Sequence, residues 1–197
     1  MKVVLASNNA GKLKEMQSIL KVLDVTLAPQ REFGVEDADE TGSTFVENAI
    51  IKARHACVQT GLPAISDDSG LQVPALAGAP GVHSSRYSGG DAQANVEKLL
   101  ENLKACKGAK RCASFYCVIV YFAHENDPTP LICQGRWDGM ILEAPVGDGG
   151  FGYDPIFYVP ECELGAAQLA PTEKNKISHR GKALQQLLSQ LPECLKR

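Results

Sequence analysis

Apolar and polar positions along this chain follow two periods, and the switches between them mark out strands and helices. Residues 2–6, KVVLA, are an apolar β-rich run that predicts the first strand of a central sheet. A polar loop follows, and then Leu13, Met16, Leu20 and Leu23 recur at helical spacing, with Asn9 as the N-cap. Residues 25–28 read as a second strand that stops at Pro29. Thr44-Phe45-Val46-Glu47 is a capping box. It opens a helix whose apolar face is Phe45, Ala49, Ala53, Ala56 and Cys57, ending at Gly61. Residues 62–65 form a short buried strand. Ala94, Val96, Leu99, Leu100 and Leu103 mark a further helix, followed by a polar, basic connector over 104–111. Residues 113–122 are the strongest strand signal, and after a turn at 127–130 a second strand over 131–137 pairs with it as a hairpin. Leu184, Leu187, Leu188 and Leu191 define the last helix, with Ser178 as its N-cap. Strand–helix units followed by a long hairpin predict an α/β protein with a mixed sheet.

The bulk numbers narrow this little. A chain of 197 residues suits one large domain or two small lobes sharing a cleft. Net charge is −3 with no basic block, which disfavours general nucleic-acid binding but leaves room for a monomeric nucleotide. The seven cysteines include no CxxC pair, so a disulfide framework is not expected. Cys117 and Cys133 lie in apolar runs and read as core residues. The apolar N-terminal run is too short for a signal peptide and no stretch reaches membrane-spanning length. The expectation is a cytoplasmic protein without membrane partners.

Four stretches carry candidate chemistry. Ser66-Asp67-Asp68-Ser69-Gly70 follows the 62–65 run. Ionised carboxylates resist burial unless paired or cation-bound, and ligands of open α/β sheets gather beyond the carboxyl ends of strands. The segment therefore reads as a strand end bearing a metal-and-acid centre, or equally as an exposed turn, because Asp, Ser and Gly all favour turns. Glu40, closing the acidic loop 36–40, is either a second oxygen ligand for a hard divalent cation or a partner of the helix dipole. Ser7-Asn8-Asn9-Ala10-Gly11-Lys12 places free N–H groups and a lysine at a helix N-terminus, which favours phosphate. It lacks the first glycine and the hydroxyl residue of a Walker A loop, and a solvated cap with a surface lysine fits it as well.

In Gly147-Asp148-Gly149-Gly150-Phe151-Gly152-Tyr153-Asp154-Pro155, glycines permit close backbone approach around an aromatic that can stack on a base. Lys174, His179 and Arg180 are expected at the N-terminus of the last helix, another anion-friendly location. Phosphate sites, carboxylates and an aromatic loop together ask for a nucleoside triphosphate.

The ordered set resembles the inosine/xanthosine triphosphate pyrophosphatase family in its bacterial dITP/XTP branch. The residues that carry the resemblance are Ser7-x-Asn9-x-x-Lys12, Glu40-Thr41-Gly42, Phe45-x-Glu47-Asn48-Ala49 with Lys52-Ala53, and Ser66-Asp67-Asp68-Ser69-Gly70. They continue with Gly78-Ala79-Pro80-Gly81, Ser85-Arg86-Tyr87, Gly150-Phe151-Gly152-Tyr153-Asp154-Pro155 and Ser178-His179-Arg180-Gly181. The resemblance implies an elongated α/β fold, a mixed central sheet flanked by helices, with two lobes around a substrate cleft. It implies one pyrophosphatase domain over 1–197, a homodimer, and Mg²⁺-dependent hydrolysis of dITP, ITP and XTP or dXTP to monophosphate and pyrophosphate. Such a reaction keeps deaminated purines out of DNA and RNA.

Roles follow by position. Ser7, Asn8, Asn9, Ala10, Gly11 and Lys12 would hold phosphates, with Lys174. Asp68 would be the general base and, with Glu40, a Mg²⁺ ligand, supported by Asp67 and Lys52. Ser69 would touch substrate. Phe151 would stack on the purine, Gly152, Tyr153 and Asp154 would shape its pocket, and His179 and Arg180 would approach the base and its 6-oxo edge. Asp148 and His83 depart from the family pattern, where a neutral and an aromatic residue are usual. Two rival readings fit the residues without the resemblance. A non-catalytic triphosphate sensor would not need the acidic cluster. A phosphatase attacking the γ-phosphorus is set aside by the resemblance alone.

Overall fold

The computed structural model describes residues 1–195, and at positions 10, 11 and 15 the backbone only. Its described strands form one seven-stranded sheet: β1 (Lys2–Leu5), β2 (Thr26–Pro29), β3 (Ala64–Gln72), β4 (Cys112–Phe122), β5 (Leu131–Ile141), β6 (Phe157–Val159) and β7 (Leu164–Gly165). The order is β2-β1-β3-β4-β5-β6-β7. β1 runs parallel to β2, pairing Lys2 with Thr26, and parallel to β3, pairing Val4 with Ala64. The far end is antiparallel, with Met140 opposite Tyr158 and Tyr158 opposite Gly165. The sheet is therefore mixed, as the pattern predicts. The helices are α1 (Ala10–Leu20), α2 (Phe45–Thr60), α3 (Ala92–Asn102), α4 (Pro171–Ile177) and α5 (His179–Cys194). No described helix is long and apolar enough to cross a membrane.

The chain divides into two compact units. The first comprises Met1–Asp68, Cys117–Gln134 and the segment from Lys182 onward, and the second comprises Ser69–Tyr116 and Gly135–Gly181.

In the first unit the two-residue period of the strands sorts side chains onto two faces. Val3, Leu5 and Ile65, with Cys117, Ile119 and Tyr121 of β4, pack against Met16 and Leu20 of α1 and Leu184, Leu187 and Leu191 of α5. Their neighbours Val4, Ala6 and Ala64, with Val118, Val120 and Phe122, pack against Ala49, Ala53, Ala56 and Cys57 of α2. The small residues of α2 let it lie close to the sheet. Its start is the expected capping box: Thr44 Oγ1 accepts from Glu47 N at 3.3 Å, and Glu47 Oε2 accepts from Thr44 N at 2.9 Å. Its end is Gly61, in the left-handed region at φ 66°.

The core of the second unit centres on Phe115, Trp137 and Phe157, whose rings lie 4.7 Å (Phe115–Phe157) and 5.1 Å (Trp137–Phe157) apart. Gly139 makes room for this closure, since a Cβ there would meet the Phe157 ring at 2.6 Å.

Three elements differ from the sequence expectation. β3 does not stop at Ile65 but runs on through Asp67, Asp68, Ser69 and Gly70 to Gln72. A strand tolerates these carboxylates because each meets a lysine from another element, as described below. The segment before the last helix is itself helical, α4, so Lys174 sits inside that helix; only His179 and Arg180 occupy the first turn of α5. Arg111, read as part of a polar, basic connector, is buried; its guanidinium donates to the carbonyls of Ile141 at 2.7 Å and Leu103 at 3.0 Å.

Candidate functional site

In the first unit the chemistry gathers around Lys52. Its Nζ donates to Glu40 Oε1 at 2.9 Å and to Asp68 Oδ1 at 2.8 Å. Lys52 rides on α2, Asp68 on β3, and Glu40 on the loop leading into α2. Gly42 presses that loop onto the helix: its N–H donates to Asn48 Oδ1 at 2.8 Å, and a Cβ there would meet Glu47 Cβ at 2.6 Å. The loop is tied further back as well, where Asp37 Oδ1 accepts from Asn8 Nδ2 at 3.0 Å and from the buried Gln30 side chain.

Two carboxylates thus share one ammonium. Burial pulls the Lys52 pKa down, but Asp68, Glu40 and Asp67 outweigh it and leave the group above its ordinary value. Burial raises the Asp68 carboxyl; Lys52 opposes the rise, and Glu40 and Asp67 add to it. The two shifts have different leading causes: burial for Asp68, the surrounding carboxylates for Lys52.

A hard divalent cation fits this donor set. Mg²⁺ takes one or two protein carboxylates and draws its other ligands from phosphate and water. Among the described residues no group of three or more acidic, His or Cys side chains is placed to hold a metal ion. The chain would therefore supply Glu40 and Asp68, and substrate oxygens and water the rest.

Asp67 adds charge to this cluster but pairs elsewhere. Successive strand side chains point to opposite faces. Asp67 follows Ile65 towards α1, where its Oδ1 lies 2.9 Å from Lys12 Nζ. Asp68 follows Ser66, whose Oγ donates to Ala49 O of α2 at 2.6 Å. Lys12 stands in the first turn of α1. The loop before it is self-capped: Ser7 Oγ accepts from Asn9 N at 3.2 Å and Asn9 Oδ1 from Lys12 N at 3.1 Å. Asn8 and Asn9 are exposed, Ser7 half-buried. Ala10 and Gly11 open α1, and their side-chain surroundings lie outside the described residues.

In the second unit the centre is Phe151, a residue that is 62% exposed. Lys174 Nζ lies 4.8 Å and Arg180 Cζ 5.6 Å from its centroid. The buried Asp154 carboxylate accepts from Phe151 N at 2.7 Å and pairs with Lys174. Gly150 has φ 76°, and a Cβ there would run into Asp154, so this closure requires glycine. Arg180 is buried and its Nη2 lies 3.4 Å from Ser69 Oγ. α4 and α5 meet tightly enough that a Cβ on Gly181 would overlap Asn175 O, and Ser178 Oγ caps α5 through Gly181 N at 3.2 Å.

Tyr153, expected to shape the base pocket, and His179, expected to approach the base, are both buried. Tyr153 is buried and its hydroxyl donates to Ser84 O at 2.8 Å, which anchors the loop. His179 stacks on Phe115 at 4.7 Å and 10°, within the aromatic core. Gly152 is half-buried beside Phe151, with φ 59°. Asp37 and Gln30, supports of the Glu40 loop, give no signal in the sequence, since two polar side chains with no shared spacing mark no motif; Asn48 stands in the motif Phe45-x-Glu47-Asn48-Ala49, but its bond to Gly42 N is not readable from it.

The model of the Ham1 family matches residues 3–190. The dITP/XTP pyrophosphatase of Idiomarina loihiensis is 59% identical over 195 residues, covering 96% of both chains. That of Coxiella burnetii is 58% identical over 196 residues, covering 98% of both. A solved Ham1 protein from Coxiella burnetii superposes with a TM-score of 0.94 at 57% identity, over 98% of this chain and 99% of that one.

Proposed function

The chain belongs to the Ham1 family, and from that premise we propose that it hydrolyses deaminated purine nucleoside triphosphates to monophosphate and pyrophosphate. The substrates are dITP, ITP and XTP or dXTP, the cation is Mg²⁺, and the role is to keep these nucleotides out of DNA and RNA. The two units work as one pyrophosphatase domain, in a cytoplasmic homodimer that engages neither nucleic acid nor membrane.

The observation that carries the reading is the Glu40–Lys52–Asp68 cluster, two carboxylates sharing one ammonium. A sensor of triphosphates has no use for such a centre, whereas a hydrolase needs both a base and a cation site. Mg²⁺ held by Glu40 and Asp68 would offset charge developing on the departing pyrophosphate. Asp68 takes the proton of the attacking water. Lys52 holds both carboxylates in place. Lys12 and the N-terminus of α1 bind phosphate oxygens, and Lys174 adds positive charge, the electrostatic contribution that dominates phosphoryl transfer.

Phe151 stacks on the purine, its loop held by Asp154, with Gly152 and Tyr153 shaping the pocket. Arg180, with Ser69 beside it, reads the 6-oxo edge, and His179 supports it from the aromatic core behind. Adenine presents an amino donor where hypoxanthine and xanthine present an acceptor, and sites built on such hydrogen bonds discriminate by ~10⁴ or more.

The purified protein with dITP or dATP, with and without Mg²⁺, tests the reading by product separation. The expected result is Mg²⁺-dependent dIMP and pyrophosphate from dITP, with dATP nearly untouched. Deoxyinosine diphosphate with orthophosphate, or binding without turnover, would overturn it.

A further inference from the structure

Asp67 is an expensive residue. Its side chain is 1% exposed, and a buried carboxylate is costly unless its partner is well placed. Strand alternation turns it away from Asp68, onto the face that α1 covers. There its partner is Lys12, whose side chain remains 24% exposed.

Lys12 is consequently fixed at both ends. Its backbone N–H is held by the Asn9 cap, and its ammonium by Asp67. A free lysine loses considerable rotamer freedom when it is immobilised on a ligand; one already held has lost it beforehand. Asp67 holds the ammonium through an ion pair at 2.9 Å, and an ammonium, with three N–H donors, can still serve phosphate oxygens.

We propose that Asp67 is a positioning residue for Lys12, setting its ammonium at the polyphosphate loop, and not a ligand of the cation at Glu40 and Asp68. The proposal rests on the reading of residues 7–12 as the phosphate loop. The two consecutive aspartates then have separate tasks on opposite faces of one strand: Asp67 prepares the phosphate-binding lysine, and Asp68 serves the cation and the water.

Inorganic pyrophosphate is the probe, titrated calorimetrically into wild type, Asp67→Asn, Lys12→Met, Lys12→Arg and the Asp67→Asn/Lys12→Met double variant. Mg²⁺ binding is read separately from the thermal shift it produces, with Glu40→Gln as reference. Asp67→Asn is expected to weaken pyrophosphate and raise KM for dITP by about tenfold, with a smaller change in kcat. Mg²⁺ binding weakens far less than in Glu40→Gln. Lys12→Met loses the same affinity, the double variant loses no more than Lys12→Met alone, and Lys12→Arg restores most of it.

Weakened Mg²⁺ binding in Asp67→Asn like that of Glu40→Gln would overturn the proposal, as would losses that multiply in the double variant. If Asp67→Asn alone does not fold, the double variant, which leaves no charge unpaired, is compared with Lys12→Met, and a loss of Mg²⁺ binding like that of Glu40→Gln overturns the proposal in the same way. Absence of dITP turnover by wild type would sink the hydrolase reading while the pyrophosphate titration still measures the Asp67–Lys12 coupling. Failure of wild type to bind pyrophosphate would sink the phosphate loop, and the proposal with it.

Discussion

The backbone N–H of Phe151 donates to Asp154 Oδ2 at 2.7 Å, so the residue that presents the aromatic ring is held by a buried carboxylate three positions along. The same carboxylate pairs with Lys174, whose ammonium lies 4.8 Å from the Phe151 ring centroid. Asp154 therefore sets both the ring and the cation beside it. Asp154→Asn leaves the Lys174 ammonium without its counter-charge. Breaking a buried pair from one side typically costs about 3–5 kcal/mol, and urea unfolding should show a loss of that order together with a raised KM for dITP. Unchanged stability and KM would contradict this role.

Phe151→Ala should behave in the opposite way. The residue is mostly exposed, so removal of its ring leaves the unfolding midpoint near the wild-type value. Stacking on a base is worth roughly 1–3 kcal/mol, so KM for dITP should rise by about five- to 150-fold. A variant with wild-type KM would remove Phe151 from the base site.

Gly42→Ala places a Cβ 2.6 Å from Glu47 Cβ and 2.7 Å from Asn48 Oδ1. The loop must shift off α2, taking Glu40 away from Lys52. The Mg²⁺ concentration for half-maximal activity should rise several-fold, on the order of tenfold for each 1.4 kcal/mol lost at the cation. KM for dITP at saturating Mg²⁺ should move less. An unaltered Mg²⁺ requirement would show that Glu40 is not a ligand.

The pH dependence follows from Asp68. Burial lifts its carboxyl above the ordinary 3.8 against the pull of Lys52, and a base works only when deprotonated. At low Mg²⁺ the acidic limb of kcat/KM should lie above the ordinary aspartate value of 3.8. A cation favours the charged form, so raising Mg²⁺ should move the limb down, and Lys52→Met should move it up. The linkage to stability has a definite sign. The folded state binds the Asp68 proton more tightly than the unfolded chain, so this group costs stability as pH rises from 3.8 through its folded value. Lys52, raised above 10.5, stabilises below that pH and loses its contribution as pH climbs through its folded value. A limb fixed at 3.8 whatever the Mg²⁺ would contradict the assignment.

What was legible in the sequence was local. β1, the Thr44 box, Gly61 and the Ser178 cap are read from neighbouring residues, and the structure has each in place. What was not legible was non-local. Asp67-Asp68 looked like the end of a strand because the lysines that let β3 continue come from α1 and α2, far back in the chain. The two-residue period was available, however, and by itself separates Asp67 from Asp68. α4 was missed because seven residues are too short for an apolar stripe, although Pro171 followed by Glu173 is a helix-start signal. The aromatic loop was recognised by its glycines, but the pairing of Asp154 with Lys174 joins residues whose proximity depends on the packing of α4.

The central claim is that the chain directs water at the α-phosphorus of a deaminated purine triphosphate. Hydrolysis of dITP by the Mg²⁺-loaded protein in ¹⁸O-water, with mass analysis of both products, tests it most directly. The account predicts one ¹⁸O in dIMP and none in pyrophosphate. Label in pyrophosphate, or release of labelled orthophosphate, would place the attack on another phosphorus and contradict it.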